Sequence, residues 1–208
     1  MYYEHDYILR LIAEMGDFLR RLLELTSELD ALKEADAYLR DHCGLSLRAI
    51  TELPEDTLTE LMTPRQRVMA AKVLQTWAER RAAGEATELR LRALRLMLST
   101  GRQPEYCEAL GGAVRTLVRQ CDEELTPEEM LSAAALLREA GRYADMDDTV
   151  FFLWDSLTAA GQAGWRERLT ALYQPLLGLT AEALATGGLS PEDVTDSVGK
   201  LKAMRLGE

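Results

Sequence analysis

Apolar residues recur at steps of three and four along nearly the whole chain, which is the spacing of one face of an α-helix. The pattern is clearest near the N-terminus, where it continues for about four heptads from Ile8 to Leu32. No long stretch alternates apolar and polar residues in twos, and β-branched residues are sparse, so strands are not expected. The pattern predicts an all-α protein.

The N-terminal stretch carries two neighbouring apolar rows, which is wider than the stripe that a single surface helix needs. A continuous helix from Tyr3 to about His42 would be ~60 Å long at 1.5 Å per residue. The alternative is two helices divided at Thr26–Ser27, because Ser27 followed by Asp30 can cap a new helix. We call the first row the association face; it consists of Ile8, Leu11, Met15, Phe18 and Leu22.

Proline and glycine punctuate the rest of the chain. Thr63–Pro64, Thr126–Pro127 and Ser190–Pro191 each place a capping residue before a proline at the first helical position. Glycines are expected to end helices, because they adopt the left-handed backbone without strain. The predicted helices cover about 64–83, 86–100, 104–124, 127–140, 143–160, 165–186 with a break at Pro175, and 191–205.

These helices are joined by short turns, so successive helices should be antiparallel neighbours. We expect two regions. Residues 1–62 hold the long N-terminal helix and short helices around Pro54, and residues 63–208 form a helical-hairpin domain packed as one unit.

A shift of 40 residues superimposes two of the predicted hairpins. It aligns Gly101–Arg102 with Gly141–Arg142, and it aligns apolar positions such as Leu96 with Leu136. Repeat lengths near this value are typical of helical arrays whose units stack to bury their apolar faces. The architecture predicted is therefore stacked antiparallel hairpins forming an α-α superhelix.

The run from Leu136 to Asp145 resembles the turn of a tetratricopeptide repeat, in which a glycine closes the first helix and an aromatic residue follows two positions later. The resemblance implies that Gly141 forms the hairpin turn and that Tyr143 packs between two helices, with Gly101 as the equivalent glycine of the first unit. The chain departs from that family at Met146, where a small residue is usual, and the first unit has Gln103 in place of Tyr143.

The opening from Tyr3 to Ile12 resembles the start of a family of short bacterial all-helical proteins that has no assigned activity. The resemblance implies a cytoplasmic helical protein and implies nothing catalytic.

The net charge of -11 disfavours nucleic-acid binding, which needs a basic face, and weakly favours basic partners. No apolar run approaches the ~20 residues that span a bilayer, so no membrane span is expected. The start of the chain lacks the basic segment and unbroken apolar run of a signal peptide. We therefore expect a cytoplasmic location.

Candidates for chemistry are few. The two histidines, His5 and His42, have no partner at metal-ligand spacing, and neither do Cys43, Cys107 and Cys121. The thiols are expected to be reduced and buried as small apolar groups. No cofactor or metal is expected, and the chain is interpreted as not an enzyme.

The remaining candidates are charged and aromatic clusters. Asp145, Asp147 and Asp148 open a helix, where negative charge is favourable without any catalytic role. The tryptophans are interpreted as core residues, with a role in lining a groove as the alternative. They are Trp77, Trp154 and Trp165.

The leading functional hypothesis is a non-enzymatic protein–protein interaction or scaffold protein. A homodimer through the association face is the first expectation, since closed two-fold dimers are the commonest assembly. A different protein partner could also cover that face, as could the chain's own hairpins. The alternative hypothesis is a helical module that binds a small molecule or peptide in a pocket between hairpins.

Overall fold

The computed structural model describes residues 14–101 and 103–203, and it confirms the all-α helical-hairpin fold. No strand occurs within these two ranges. Two short 3₁₀ turns, Asp122–Glu124 and Leu176–Gly178, accompany the α-helices. The helices are α1 (described over 14–24), α2 (Glu28–Cys43), α3 (Leu47–Glu52), α4 (Glu55–Leu61), α5 (Pro64–Ala78), α6 (Ala83–Leu98), α7 (Pro104–Gln120), α8 (Pro127–Glu139), α9 (Tyr143–Ser156), α10 (Ala159–Tyr173), α11 (Ala181–Thr186) and α12 (Pro191–Ala203).

The chain divides into two compact units, Met1–Leu125 and Thr126–Glu208. In the first unit α5 packs against α2 and against α6, and α7 follows α6. In the second unit α8 pairs with α9, and α10 packs against α12 and α8. The boundary that the sequence analysis places after residue 62 lies inside the first unit, because α2 packs on α5 across it.

The break near Ser27, which the sequence leaves open as an alternative, is present, so one unbroken helix to His42 does not occur over the described residues. α1 stops at residue 24, and α2 begins at Glu28. The Ser27 side chain accepts a hydrogen bond from the backbone N–H of Asp30 at 3.3 Å. This contact satisfies one of the amide groups that a helix start leaves without an internal partner.

Two of the predicted proline starts carry complete capping boxes. Thr63 pairs with Gln66 and Thr126 pairs with Glu129, each side chain bonding to the other residue's backbone N–H. Such reciprocal caps fix where α5 and α8 begin.

Three glycines predicted to end helices lie inside helices instead. Gly84 belongs to the first turn of α6, and Gly161 and Gly164 belong to α10. α10 begins earlier than predicted because the Thr158 hydroxyl accepts from the Gly161 N–H at 3.3 Å and so caps the helix there. The tolerance of glycine near a helix start explains why these positions did not act as stops.

Candidate functional site

The described part of the association face is buried within the chain itself. Met15 and Leu22 are each 1% exposed and Phe18 is 7% exposed. These three side chains cannot meet a partner, so the prediction that they form a docking surface is wrong. The chain's own helices cover this row, which was the alternative left open. Ile8 and Leu11 lie outside the described residues.

An aromatic stack joins α1 to α2 at this buried row. The Phe18 and Tyr38 rings lie nearly parallel with centroids 3.9 Å apart, and the His42 ring follows at 4.3 Å from Tyr38. Burial is the main reason why the pKa of Tyr38 rises to about 12. His42 is therefore part of a packing contact, and His5 lies outside the described residues.

Three of the exposed apolar side chains follow this row in the sequence, at the end of α1 and the start of α2. Leu23 is 44% exposed near the end of α1, and Leu29 and Leu32 are 59% and 37% exposed in the first turns of α2. Leu29 and Leu32 are three residues apart on one helix, so they lie on the same side of α2. We call these three the junction leucines.

The predicted hairpin-turn glycines have the left-handed backbone, with φ of +90° at Gly101 and +69° at Gly141. At Gly141 the turn is a Schellman motif. The backbone N–H of Arg142 donates to the Leu137 carbonyl, and the backbone N–H of Gly141 donates to the Arg138 carbonyl. Gly188 forms a second motif of this kind at the end of α11.

The two Schellman turns of the second unit lie against each other. A Cβ added at Gly187 would come within 2.1 Å of the Tyr143 ring and 2.6 Å of the Gly141 carbonyl oxygen. Ala144 donates its N–H to the Gly187 carbonyl at 2.9 Å. Tyr143 thus contacts the turn between α11 and α12, and the tetratricopeptide-like packing of this ring remains a prediction.

The thiols are structural. Cys43, Cys107 and Cys121 are all buried thiols, as the sequence predicts. Burial raises the pKa of Cys43 and of Cys121 to about 11, so the nucleophilic thiolate is disfavoured. Within the described ranges no three of the His, Cys, Asp and Glu side chains are grouped so that they could hold a metal ion.

The acidic start of α9 serves packing. The Asp147 carboxylate accepts from the Tyr173 hydroxyl at 2.6 Å and from the Ser197 hydroxyl at 2.8 Å, which ties α9 to α10 and α12. Burial and the Asp147 carboxylate together raise the pKa of Tyr173 far above its ordinary value. Asp145 accepts from the Arg142 guanidinium at 2.7 Å.

Several arginines bind the carbonyl ends of helices. Arg80 donates to the Leu22, Leu23 and Leu25 carbonyls at 3.0, 3.1 and 2.7 Å, at the C-terminal end of α1. Arg92 donates in the same way to the Ile50 and Leu53 carbonyls at the end of α3, and Arg67 donates to the Ser99 carbonyl after α6. A helix leaves its last carbonyls without internal partners and carries negative partial charge there, so a guanidinium fits.

A surface groove of about 510 Å³ lies along α6 in the first unit, facing Thr51 of α3. Its wall includes Trp77, which is 3% exposed, and the Arg81 guanidinium lies 4.5 Å from the centre of a Trp77 ring. The groove is lined by Thr51, Trp77, Arg81, Glu85, Glu88, Leu89, Leu91, Arg92 and Arg95.

Sequence reasoning missed this groove and the junction leucines. A signal for the groove exists in the charged stripe Arg81, Glu85, Glu88, Arg92 and Arg95, which repeats at helical spacing. The interpretation of the tryptophans as core residues is confirmed for two of the three. Trp77 and Trp154 are core residues, and Trp165 lies half-buried beneath the Arg168 guanidinium at 4.2 Å.

Comparisons of the chain with protein-family models, with curated proteins and with solved structures found no match. The two family resemblances therefore remain predictions. Among the described helices, none combines the length and the apolar character that crossing a membrane requires.

Proposed function

We propose that this chain is a non-enzymatic interaction protein whose first unit contacts a partner through the junction leucines. The observation that carries the proposal is the exposure of Leu23, Leu29 and Leu32 within ten residues of one another. A second copy of the chain is the first partner to expect, because closed two-fold dimers are the commonest assembly and pair one patch with itself.

The energetics favour a reversible contact. Fully burying a leucine is worth about 1.5–3 kcal/mol, and these side chains are roughly half exposed, so each contributes about 1 kcal/mol. Three such contributions are small beside the cost of association, and a small interface of this kind is typical of transient complexes. The proposal therefore predicts a dimer that forms with rising concentration.

The use of the polar side chains supports the non-enzymatic part of the proposal. Arg80 and Arg92 cap helix ends, Asp147 ties three helices together, and His42 stacks on Tyr38. Each of these contacts has a structural explanation that requires no substrate. A catalytic site would instead bring such groups together around a reacting atom.

Light scattering across a range of concentrations tests the proposal. The mass of the wild-type chain should rise from 23.3 kDa toward twice that value as the concentration increases. The double variant Leu29→Glu/Leu32→Glu should remain at the monomer mass and stay folded, since both positions are already exposed. Leu177→Glu is a matched control, because Leu177 is 53% exposed in the second unit. A constant monomer mass for the wild type would contradict self-association.

The groove along α6 favours a second candidate function, which is binding of a peptide or small molecule by a helical module. Its volume of about 510 Å³ falls within the range of ~300–1,000 Å³ that ligand sites occupy. Apolar side chains, Leu89 and Leu91, lie beside the charged ones, so the groove offers both kinds of contact.

A further inference from the structure

We infer that the groove along α6 is a docking site for a basic segment of another polypeptide, in which a lysine or arginine lies beside an apolar residue. The inference rests on the second candidate function and names the chemistry of its ligand. It follows from which charges of the groove are engaged and which face water.

The three guanidiniums of the groove are engaged inside the protein. Arg92 donates to the Ile50 carbonyl at 2.9 Å and to the Leu53 carbonyl. Arg95 donates to Glu55 at 3.1 Å, and Arg81 pairs with Glu28. Burial lowers the pKa of Arg92, as expected for a cation withdrawn from water.

The carboxylates of the groove are the accessible charges. The side chains of Arg81, Arg92 and Arg95 are 23%, 16% and 32% exposed. The Glu85 side chain is 68% exposed, although its carboxylate lies 3.8 Å from the Arg81 guanidinium. Glu88 is also exposed, and it forms no ion pair within the described residues. A ligand approaching the groove therefore meets negative charge first, although arginines outnumber glutamates in its lining.

The partners of the guanidiniums add to this surface. Glu28 is 64% exposed beside Arg81, and Glu55 is 40% exposed beside Arg92 and Arg95. The exposed carboxylates in the groove and beside its guanidiniums complement a cationic ligand, and charge complementarity of this kind sets the choice of partner and the association rate.

The apolar part of the lining sets the second requirement. Leu89 and Leu91 are half-buried, so part of each side chain remains for contact. The groove is open along the surface, which suits an extended segment with alternating basic and apolar side chains. An acidic peptide would place its charge against Glu85 and Glu88, and a purely apolar molecule would leave the Glu88 carboxylate without a partner.

Fluorescence anisotropy with the full-length chain tests the inference. The probe is a capped, fluorescein-labelled hexapeptide of two Leu, two Lys and two Ser, and the comparison peptide has Glu in place of Lys. The Lys peptide should bind, and the affinity should fall as NaCl is raised, because exposed charges are screened. Glu88→Gln should weaken binding about threefold and Glu88→Lys about tenfold, since reversal adds repulsion to the lost attraction.

Glu60→Lys is the matched control, because Glu60 is exposed in the same unit and does not line the groove. It should change the affinity less than Glu88→Lys does. Three results would overturn the inference. The two peptides could bind equally well, the Lys peptide could bind Glu88→Lys as tightly as wild type, or the Lys peptide could fail to bind. In those cases a mass that still doubles through the junction leucines would leave the interaction proposal standing.

Discussion

At the scale of single residues, Gly187 shows how a position can require glycine for space alone. Its φ of -85° is accessible to any residue, but an added Cβ would overlap the Tyr143 ring and the Gly141 carbonyl. The sequence marks Gly187 as a helix end. The reason for glycine at this position appears only in the structure, where the turn at Gly141 packs against it.

We predict that Gly187→Ala destabilises the protein by about 1–3 kcal/mol, because overpacking forces the two turns apart. Urea unfolding of the variant and the wild type measures this difference. Gly199→Ala is the control, since a Cβ there would meet nothing within 4 Å and an exposed alanine inside α12 should stabilise the helix by ~0.5–1 kcal/mol. A Gly187→Ala protein as stable as wild type would show that the turns do not pack as described.

Asp36 gives a residue-scale prediction that depends on pH. Its carboxylate accepts from the Arg40 guanidinium at 2.6 Å and from the Leu47 N–H at 2.8 Å. The Arg40 hydrogen bond, and next the Leu47 amide, hold the pKa of Asp36 below its ordinary value of 3.8. A carboxyl whose folded pKa is depressed adds stability above its unfolded pKa, and that stability is lost as the pH falls through the folded pKa.

We therefore expect Asp36→Asn to lower the free energy of unfolding by about 1 kcal/mol at pH 7, because it removes a charge-assisted contact. The difference from wild type should shrink as the pH falls below the ordinary value of 3.8. Denaturant unfolding at several pH values measures it. Asp41→Asn, at an exposed position, is the control. A difference that stays constant down to the lowest pH would contradict the role of the Asp36 charge.

At the scale of helices, the arginine-rich composition acquires a physical explanation. The chain has 20 arginines and 4 lysines. Arg67, Arg80 and Arg92 each reach the carbonyl end of another helix. A planar guanidinium can donate to several carbonyls at once, which an ammonium group does less well.

Arg80 offers the sharpest test of this role. Arg80→Ala should cost about 2 kcal/mol, because three carbonyls at the C-terminal end of α1 lose a charged donor. Arg80→Lys should recover part of the lost stability, since lysine keeps the positive charge but lacks the several N–H donors of the guanidinium. Chemical unfolding compares both with Arg48→Ala, an 82% exposed member of an ion pair with Glu52 that should change stability by less than ~0.5 kcal/mol. If Arg80→Ala were as mild as Arg48→Ala, the capping role would be wrong.

Local sequence signals predicted several helix starts and ends, but they missed the start of α10, which Thr158 caps. Thr63, Thr126 and Ser27 cap the helices expected of them, and Gly101 and Gly141 take the left-handed backbone. The signals failed at Gly84 and Gly161, because a glycine in the first turn of a helix looks the same in sequence as one that ends a helix.

At the scale of the whole molecule, periodicity could not say which apolar row the chain covers itself. Met15, Phe18 and Leu22 look suited to a partner, but all three are buried within the chain, and Tyr38 of α2 stacks on Phe18. The junction leucines, which are exposed, lie instead around the α1–α2 connection. That distinction depends on contacts between residues more than fifty positions apart, such as Arg80 with Leu22, and periodicity carries no such information.

The most direct test of self-association through the junction leucines is a distance measured between copies of the chain. Lys33→Cys places a thiol on α2 next to Leu32, and a spin label should react there selectively because Cys43, Cys107 and Cys121 are buried. At concentrations where the mass doubles, double electron–electron resonance should give a defined distance between labels. Asp196→Cys, at an exposed position of α12 in the second unit, is labelled in the same way, and its signal is compared with that of Lys33→Cys. A signal from Lys33→Cys that decays only as a random background, at every concentration, would contradict the account.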